Sequence, residues 1–325
     1  MNIQCLLLIC FQLCFPLRQA ITFGRITSRK MEPSVALIHI ARNTRRVRGN
    51  GYTYKLKDEY CTGSLISRQV LITAGHCIRG KSGSTIMVNF MEKQKLLLFR
   101  TVQKYHIFRQ VDVLLNHEVT TTLIMNWYCL ICKNYKLISF QSGEDIALVL
   151  LNKPVYLCDE SDPEHERVGV ARLPLGSLRY RWTDNEIKSA KCTIFGYGKN
   201  EKRSKIDFRL RSMQINLKMS KSLVANLSNN QKICPGDSGG PVICSRGDQS
   251  YLVGITTAVI SAQSSKIPQL CAFRASDGKY AVITSAKFYD IRRGISQILR
   301  FLNVHGQINN MLNDYLKCFN GTYRI

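Results

Sequence analysis

The segment Gly236-Asp237-Ser238-Gly239-Gly240-Pro241-Val242 decides how this 325-residue chain is interpreted. A serine flanked by glycines lies on a tight loop, because glycine permits the backbone angles and the close approach that such a loop needs. The serine hydroxyl is then exposed, and the N–H groups around it are free to point at an anion. On its own, the segment is also compatible with an ordinary glycine-rich turn.

Two earlier segments make a simple turn the weaker interpretation. Leu71-Ile72-Thr73-Ala74-Gly75-His76-Cys77 places a histidine beside a cysteine, and Asp145-Ile146-Ala147-Leu148-Val149-Leu150 places an aspartate at the start of an apolar strand. Taken singly, His76, Asp145 and Ser238 could be a turn histidine, a strand-end aspartate and a loop serine. Histidine, aspartate and serine in this order are the parts of an acyl-transfer triad.

Together these segments resemble those of the secreted trypsin/chymotrypsin-type serine proteases, and the resemblance runs from about Ile21 to a helix that begins near Lys287. It implies an all-β fold of two six-stranded antiparallel β-barrels followed by a C-terminal α-helix. It also implies hydrolysis of protein or peptide substrates, with no cofactor and no metal. The serine would attack, the histidine would act as general base, and the aspartate would orient the histidine. The N–H groups of Gly236 and Ser238 would form the oxyanion hole.

Short apolar segments rich in β-branched and aromatic residues support the all-β expectation. The predicted strands are Val35–Ile40, Cys61–Ile72, Ile86–Phe90, Ile146–Leu151, Cys192–Phe195, Pro241–Cys244, Tyr251–Val259 and Tyr280–Thr284. One long helix is predicted near the C-terminus, and the resemblance places it on the second barrel. Its apolar positions recur at helical spacing at Phe288, Ile291, Ile295, Ile298, Leu299 and Leu302.

The chain divides into a leader at 1–20, a protease domain at 21–303 and a C-terminal extension at 304–325. Residues 3–15 are almost continuously apolar but too short to span a bilayer, which is typical of a signal peptide and predicts secretion. The cleavage point stays open, because Arg18 would lie where a small residue is preferred. No other stretch predicts a membrane helix. His76 and Asp145 are 69 positions apart, which indicates an insertion at about 99–140.

The cysteine count agrees with an oxidising compartment. Of the 13 cysteines, Cys5, Cys10 and Cys14 lie in the leader, which leaves an even number. The resemblance implies three disulfides, namely Cys61–Cys77, Cys192–Cys244 and Cys234–Cys271. Three pairings remain open for Cys129, Cys132, Cys158 and Cys318. The first two have the spacing of a redox or zinc half-site, but no second half-site accompanies them, so extra disulfides are the preferred interpretation.

The resemblance gives Asp237 a role in activation, as the partner of a newly formed N-terminal ammonium. Ile21 fits that N-terminus, since it stands twelve residues before Pro33 and is followed by glycine in the usual fourth place. The Arg25-Ile26 bond is a rival site, although it lies too close to Pro33. Because Ala20 precedes Ile21, trypsin-like cleavage after a basic residue is not expected there. An apolar residue that merely follows a signal peptide is the alternative interpretation of Ile21.

Four residues are assigned by the resemblance to the specificity pocket. Lys232, six residues before the serine, occupies the pocket floor and is expected to exclude Lys and Arg side chains of the substrate. If its ammonium points inward, acidic side chains are favoured; if outward, small or medium apolar ones. Thr257 and Val259 form one wall, with Ala258 in place of the usual tryptophan, and Gly278 leaves the far wall open.

The charge is strongly basic, with 46 Lys and Arg against 22 Asp and Glu and a formal net charge of +24. Basic residues cluster in Arg42–Lys57 and Lys199–Lys221, which predicts attraction of polyanions such as glycosaminoglycans, unless the clusters are simply solvated loops. Protease inhibitors are further expected partners. Asn226 and Asn320 begin glycosylation sequons. The competing functional hypothesis is a non-catalytic homologue that binds polyanions or proteins through this basic surface.

Overall fold

The computed structural model describes residues 25–27, 31–48, 51–81, 84–92, 95–107, 145–158, 168–175, 182–199, 208–219, 222–228, 232–265, 271 and 280–319. In the first half of the chain the elements are β1 (Arg25–Ile26), β2 (Val35–Arg48), β3 (Gly51–Ser67), β4 (Val70–Thr73), α1 (Gly75–Ile78), β5 (Thr85–Glu92), β6 (Lys95–Ile107) and β7 (Ala147–Leu151). In the second half they are α2 (Asp184–Ser189), β8 (Lys191–Gly196), β9 (Arg211–Ile215), β10 (Leu217–Met219), β11 (Leu223–Asn226), β12 (Pro241–Arg246), β13 (Gln249–Ser265), β14 (Tyr280–Asp290), α3 (Ile291–Val304) and α4 (Ile308–Cys318).

The first half forms the closed six-stranded barrel that was predicted, in the order β2-β3-β4-β7-β6-β5. All of its neighbouring strands run antiparallel, and the β2–β3 hairpin extends from the pair Val35↔Ser64 to the pair Arg48↔Gly51. Strands β4 and β7 are buried at every position, which explains their nearly uninterrupted apolar sequences.

The second half is an antiparallel sheet that curls around its own core, in the order β1-β9-β8-β12-β13-β14-β11-β10. The predicted fold is confirmed, with the difference that in the described residues this second sheet has eight strands and curls without closing. Its two edge strands, β1 and β10, have only two and three residues. The apolar core of this half includes Trp182, Met213, Leu223, Val253 and Phe288.

The C-terminal helix begins later than predicted and is followed by a second helix, α4. Strand β14 continues to Asp290, whose carboxylate accepts from Arg292 N and caps α3, so Phe288 belongs to the strand and not to the helix. The buried residues Ile298 and Leu302 of α3 join the apolar cluster that contains the first barrel's core. Helix α3 packs against β13 of the second sheet, as the resemblance implies. No helix among the described residues is both long enough and apolar enough to cross a membrane.

Two further sequence predictions are corrected by the strand bounds. The segment Cys61–Ile72 is two strands, because β3 ends at Ser67 and β4 begins at Val70. The beginning of the predicted insertion at 99–140 belongs to β6, which pairs with β7 as far as Ile107↔Ala147. The remainder of that insertion lies outside the described residues, as do the leader and residues 320–325.

Candidate active site

The pairing of β4 with β7 brings His76 and Asp145 together. Thr73, the last residue of β4, lies opposite Ala147, so the helix that follows β4 begins beside the residues that precede β7. His76 on α1 then lies with its Nδ1 2.5 Å from Asp145 Oδ2. The backbone N–H of His76 also donates to Asp145 Oδ1 at 2.6 Å. Two contacts to one carboxylate hold the imidazole in a single orientation, with Nδ1 as the donor.

Ser238 comes from the other half of the molecule, on the loop between β11 and β12. The backbone of this loop is bonded to both halves, because Ser238 O accepts from Thr62 N at 2.8 Å and Gly239 N donates to Thr256 O at 2.7 Å. Gly239 has a φ of +82°, and a Cβ there would lie 2.0 Å from Thr73 Oγ1. Glycine is therefore required at Gly239 for both the left-handed backbone and the close approach of the first barrel.

His76 and Ser238 line one cleft of about 160 Å³. The other lining residues are Ile233, Cys234, Pro235, Thr256, Thr257, Ala258 and Val259. Within the described structure the side chains of His76 and Ser238 share the cleft without a hydrogen bond between them. Contacts of this kind are commonly longer in free enzymes than in their substrate complexes.

Gly236 and Ser238 stand on either side of Asp237 in the tight loop. Gly236 has a φ of +104°, a conformation that side-chain-bearing residues rarely adopt. In the described part of the chain, neither N–H donates to a protein acceptor, whereas the intervening Asp237 N donates to Cys234 O at 3.0 Å. Neither amide is therefore occupied by a protein acceptor among the described residues, and their role as an oxyanion hole stays a prediction.

Asp237 is buried beneath this loop, with an exposed fraction of 3%. Its carboxylate accepts from Gly198 N at 2.7 Å and from Cys234 N at 2.8 Å. Burial raises the pKa of Asp237 to about 6, although these two amides and the nearby charge of Arg211 act in the opposite direction. Ile21, the predicted partner of Asp237, lies outside the described residues.

Only some of the four predicted pocket residues lie in the cleft of the described structure. Thr257 and Val259 line the cleft. Lys232 is buried, but it is not among the lining residues, and its Nζ donates to Ile283 O at 3.3 Å. Burial lowers the pKa of Lys232. Its neighbour Ile233 lies in the lining instead, and Gly278 lies outside the described residues.

The structure joins the three cysteine pairs that the resemblance implies, Cys61–Cys77, Cys192–Cys244 and Cys234–Cys271, and it adds Cys158–Cys318. Cys129 and Cys132 lie outside the described residues. The atoms of Cys61, His76 and Cys77 lie close enough to hold a metal ion. Because the two sulfurs are bonded to each other, they offer no thiolate, and the group does not form a metal site.

Several site residues were missed by the sequence reasoning. Ile233 and Pro235 line the cleft, and a signal for them was available, since both stand between the predicted pocket floor and the serine. Thr62 holds the serine loop through its N–H and its hydroxyl. Its only sequence signal is that it follows Cys61, whose disulfide partner adjoins His76.

Comparison with known proteins agrees with this geometry. The Trypsin family model matches residues 40–273, which is more than half of the chain. The chain is also similar to proproteinase E from Bos taurus, with 27% identity over 216 residues that cover 62% of this chain and 73% of the relative. The matched region contains His76, Asp145 and Ser238. The chain therefore belongs to the trypsin/chymotrypsin-type family of serine proteases.

Proposed function

We propose that this protein is a secreted serine endopeptidase that cleaves peptide bonds through an acyl-enzyme formed on Ser238. The observation that carries the proposal is the 2.5 Å contact of His76 Nδ1 with Asp145 Oδ2, on a histidine that shares its cleft with Ser238. A serine hydroxyl is a weak nucleophile unless a base removes its proton. Among the described residues that line the cleft, His76 is the one that can act as this base.

In the proposed reaction, Ser238 Oγ attacks the substrate carbonyl while His76 Nε2 takes the hydroxyl proton. His76 then gives this proton to the leaving amine, and the acyl group remains on Ser238. A water molecule repeats the sequence, with His76 again accepting and returning one proton, and releases the acid. Asp145 keeps the histidine proton on Nδ1 and stabilises the imidazolium that forms in each step.

The negative charge on the carbonyl oxygen would be received by the N–H groups of Gly236 and Ser238. Donors held in advance by the fold stabilise such a charge without reorganising, and loss of one typically costs about 3 kcal/mol of transition-state stabilisation. Support for this role comes from the bonds that fix the loop on either side of the serine, to Thr62 and to Thr256.

We propose that the cleft prefers a small or medium apolar side chain before the scissile bond. Ile233, Ala258 and Val259 supply an apolar lining. The ammonium of Lys232 is directed at the carbonyl of Ile283, so it is not available to pair with an acidic substrate. With no carboxylate among the described lining residues, cleavage after Lys or Arg has no electrostatic support.

The mature enzyme is proposed to begin at Ile21, after removal of residues 1–20, and to extend through 303 with an appended segment at 304–325. Its N-terminal ammonium would then pair with Asp237. A cation at this position is physically reasonable, because burial is the main influence on the Asp237 carboxyl and disfavours its charge. Secretion is supported by the four disulfides, which persist in oxidising compartments.

Other partners are proposed from sequence and exposure. Asn226 is exposed at the end of β11, as a glycosylation acceptor must be. Polyanions such as glycosaminoglycans would be attracted by the net charge of +24. Protease inhibitors that fill the cleft are expected partners of an active enzyme.

Labelling by a fluorophosphonate tests the proposed function directly, because this probe reacts with an activated serine. Mature protein with a verified N-terminus should label and hydrolyse peptides, and Ser238→Ala should do neither while its thermal unfolding stays unchanged. Ser245→Ala is the matched control, since Ser245 is an exposed hydroxyl on β12 that bonds Ser250. Absence of labelling in the wild-type protein would favour the non-catalytic binding hypothesis.

A further inference from the structure

Thr62 is buried in β3 of the first barrel, yet it contacts two separate segments of the second half. Its hydroxyl donates to Gly236 O at 2.7 Å and accepts from Tyr197 N at 3.0 Å. Its own N–H donates to Ser238 O at 2.8 Å. One residue therefore holds the carbonyl groups of Gly236 and Ser238, on both sides of Asp237.

These bonds matter because a peptide unit is planar, so fixing a carbonyl also fixes the direction of the N–H on the same plane. Each of the four planes from residue 235 to residue 239 is held by a bond at its carbonyl. The four bonds are Lys199 N to Pro235 O, Thr62 Oγ1 to Gly236 O, Gly240 N to Asp237 O, and Thr62 N to Ser238 O. Thr62 supplies two of the four, and its hydroxyl is the one side-chain donor among them.

The peptide plane held by the Thr62 hydroxyl lies next to Gly236, the residue of the loop whose backbone rotates most easily. Gly236 stands between this plane and the preceding one, which carries the Gly236 N–H, and its φ of +104° lies in a region that only glycine adopts readily. Without the hydroxyl, the plane between Gly236 and Asp237 would keep only the bond from Asp237 N to Cys234 O among the described contacts. Loss of one of its two bonds would let this plane turn more easily at Gly236 and shift the neighbouring planes, which carry the two oxyanion N–H groups.

We propose that Thr62 is a positioning residue, whose hydroxyl sets the direction of the oxyanion N–H groups by clamping the Gly236 carbonyl. The proposal rests on the hydrolytic function proposed above. Thr62 does not touch the substrate, and it acts through the loop. The clamp links the first barrel, which carries His76, to the loop that carries Ser238, so it also fixes the two parts of the active site relative to each other.

Two substitutions distinguish the effect of the Thr62 hydroxyl from the effect of the side chain's shape. Thr62→Val replaces the hydroxyl by a methyl group of similar size, and Thr62→Ser keeps the hydroxyl. We expect kcat to fall about tenfold or more in Thr62→Val with little change in KM, although less than the ~10²–10³-fold for loss of an oxyanion donor. Thr62→Ser should retain most of kcat. If Thr62→Val does not fold, Thr62→Ala carries the same expectation.

Amide hydrogen exchange of residues 232–240 supplies a second readout that does not depend on catalysis. Exchange in this segment should be faster in Thr62→Val than in the wild type and in Thr62→Ser. Ser64→Ala is the control, because Ser64 is a buried hydroxyl on the same strand, 2.6 Å from Ser34 Oγ. It should lower the melting temperature without changing kcat or the exchange of this loop.

These experiments test the positioning role of Thr62 separately from the proposed hydrolytic function. Unchanged exchange in Thr62→Val, or equal losses of kcat in the valine and serine variants, would overturn the clamp. A wild-type protein that shows neither hydrolysis nor labelling would overturn the enzymatic function, while the exchange experiment would still decide whether Thr62 holds the loop.

Discussion

The carboxyl of Asp237 makes the stability of the serine loop depend on pH. Its pKa is raised from 3.8 to about 6, so the folded chain binds this proton more tightly than the unfolded chain. The resulting stabilisation is complete below about pH 4 and is lost as the pH rises through about 6. The difference corresponds to about 3 kcal/mol, since one pKa unit equals 1.36 kcal/mol.

The measurement is the melting temperature of the full chain between pH 4 and pH 8, compared with that of Asp237→Asn. Relative to the asparagine variant, the wild type should lose stability from about pH 4 to about pH 6 and then stay level. Asp248→Asn, at an exposed turn, is the control and should follow the wild type. If the wild type instead gained stability over this range, a cation would be paired with Asp237 in the folded chain.

The burial of Lys232 leads to a second prediction, on stability and substrate preference. Burial lowers its pKa, so its charged form reduces the stability of the fold at neutral pH. Lys232→Met should therefore leave the free energy of unfolding unchanged or higher, and the apolar substrate preference should persist because the ammonium bonds Ile283 O. Denaturant titration and peptide-library profiling measure the two effects, with exposed Lys191→Met as the control. A substrate profile that loses acidic residues in Lys232→Met would place the ammonium in the cleft.

Helix α4 is held in place by the buried Asp314, which pairs with Arg68. Asp314 is completely buried, and it accepts from Arg68 N at 2.6 Å, Nε at 2.8 Å and Nη2 at 2.5 Å. Asp314→Ala should lower the free energy of unfolding by about 3 kcal/mol, because it leaves the guanidinium and a backbone N–H without their acceptor. Asp184 is a suitable comparison, since it is 58% exposed and pairs with Arg292. Asp184→Ala should cost no more than ~1 kcal/mol, and equal losses would contradict the argument.

The elements also show what the sequence could predict. Strands such as β4 and β7 were predictable because their buried apolar residues form nearly continuous runs. Helix α4 was not, because it is stabilised by partners far away in sequence, including Ala171 O and Leu173 N, which both bond the hydroxyl of Tyr315. The extension beyond Val304 therefore has a structural role that its local sequence does not indicate.

The candidate site likewise contains residues that the sequence could predict and residues that it could not. His76, Asp145 and Ser238 could be selected from their local segments, since each lies in a short motif with a chemical purpose. Thr62 and the direction of Lys232 could not, because both depend on which strands meet in the folded chain. Lys232 reaches a carbonyl on β14, and Thr62 reaches loops that are more than a hundred residues away.

The disulfide Cys158–Cys318 encloses the second half of the chain. The two cysteines are separated by 160 residues, and the ring that they close contains Ser238, whereas His76 and Asp145 lie before it. Cys158 follows the first barrel, and Cys318 ends α4, which contacts that barrel. The bond should therefore oppose separation of the two halves that carry the active site.

Replacement of both Cys158 and Cys318 by alanine should lower the free energy of unfolding by about 4 kcal/mol, since long closed loops lose the most chain entropy. In this variant, hydrolysis should disappear at a lower denaturant concentration than the far-UV circular dichroism signal, because the halves can separate before their strands unfold. Replacement of Cys192 and Cys244, a pair within the second sheet, is the control, and there the two signals should be lost together. Coincident loss of both signals in the Cys158 and Cys318 variant would mean that noncovalent contacts, such as those of Thr62 and of Arg68 with Asp314, are sufficient to keep the halves joined.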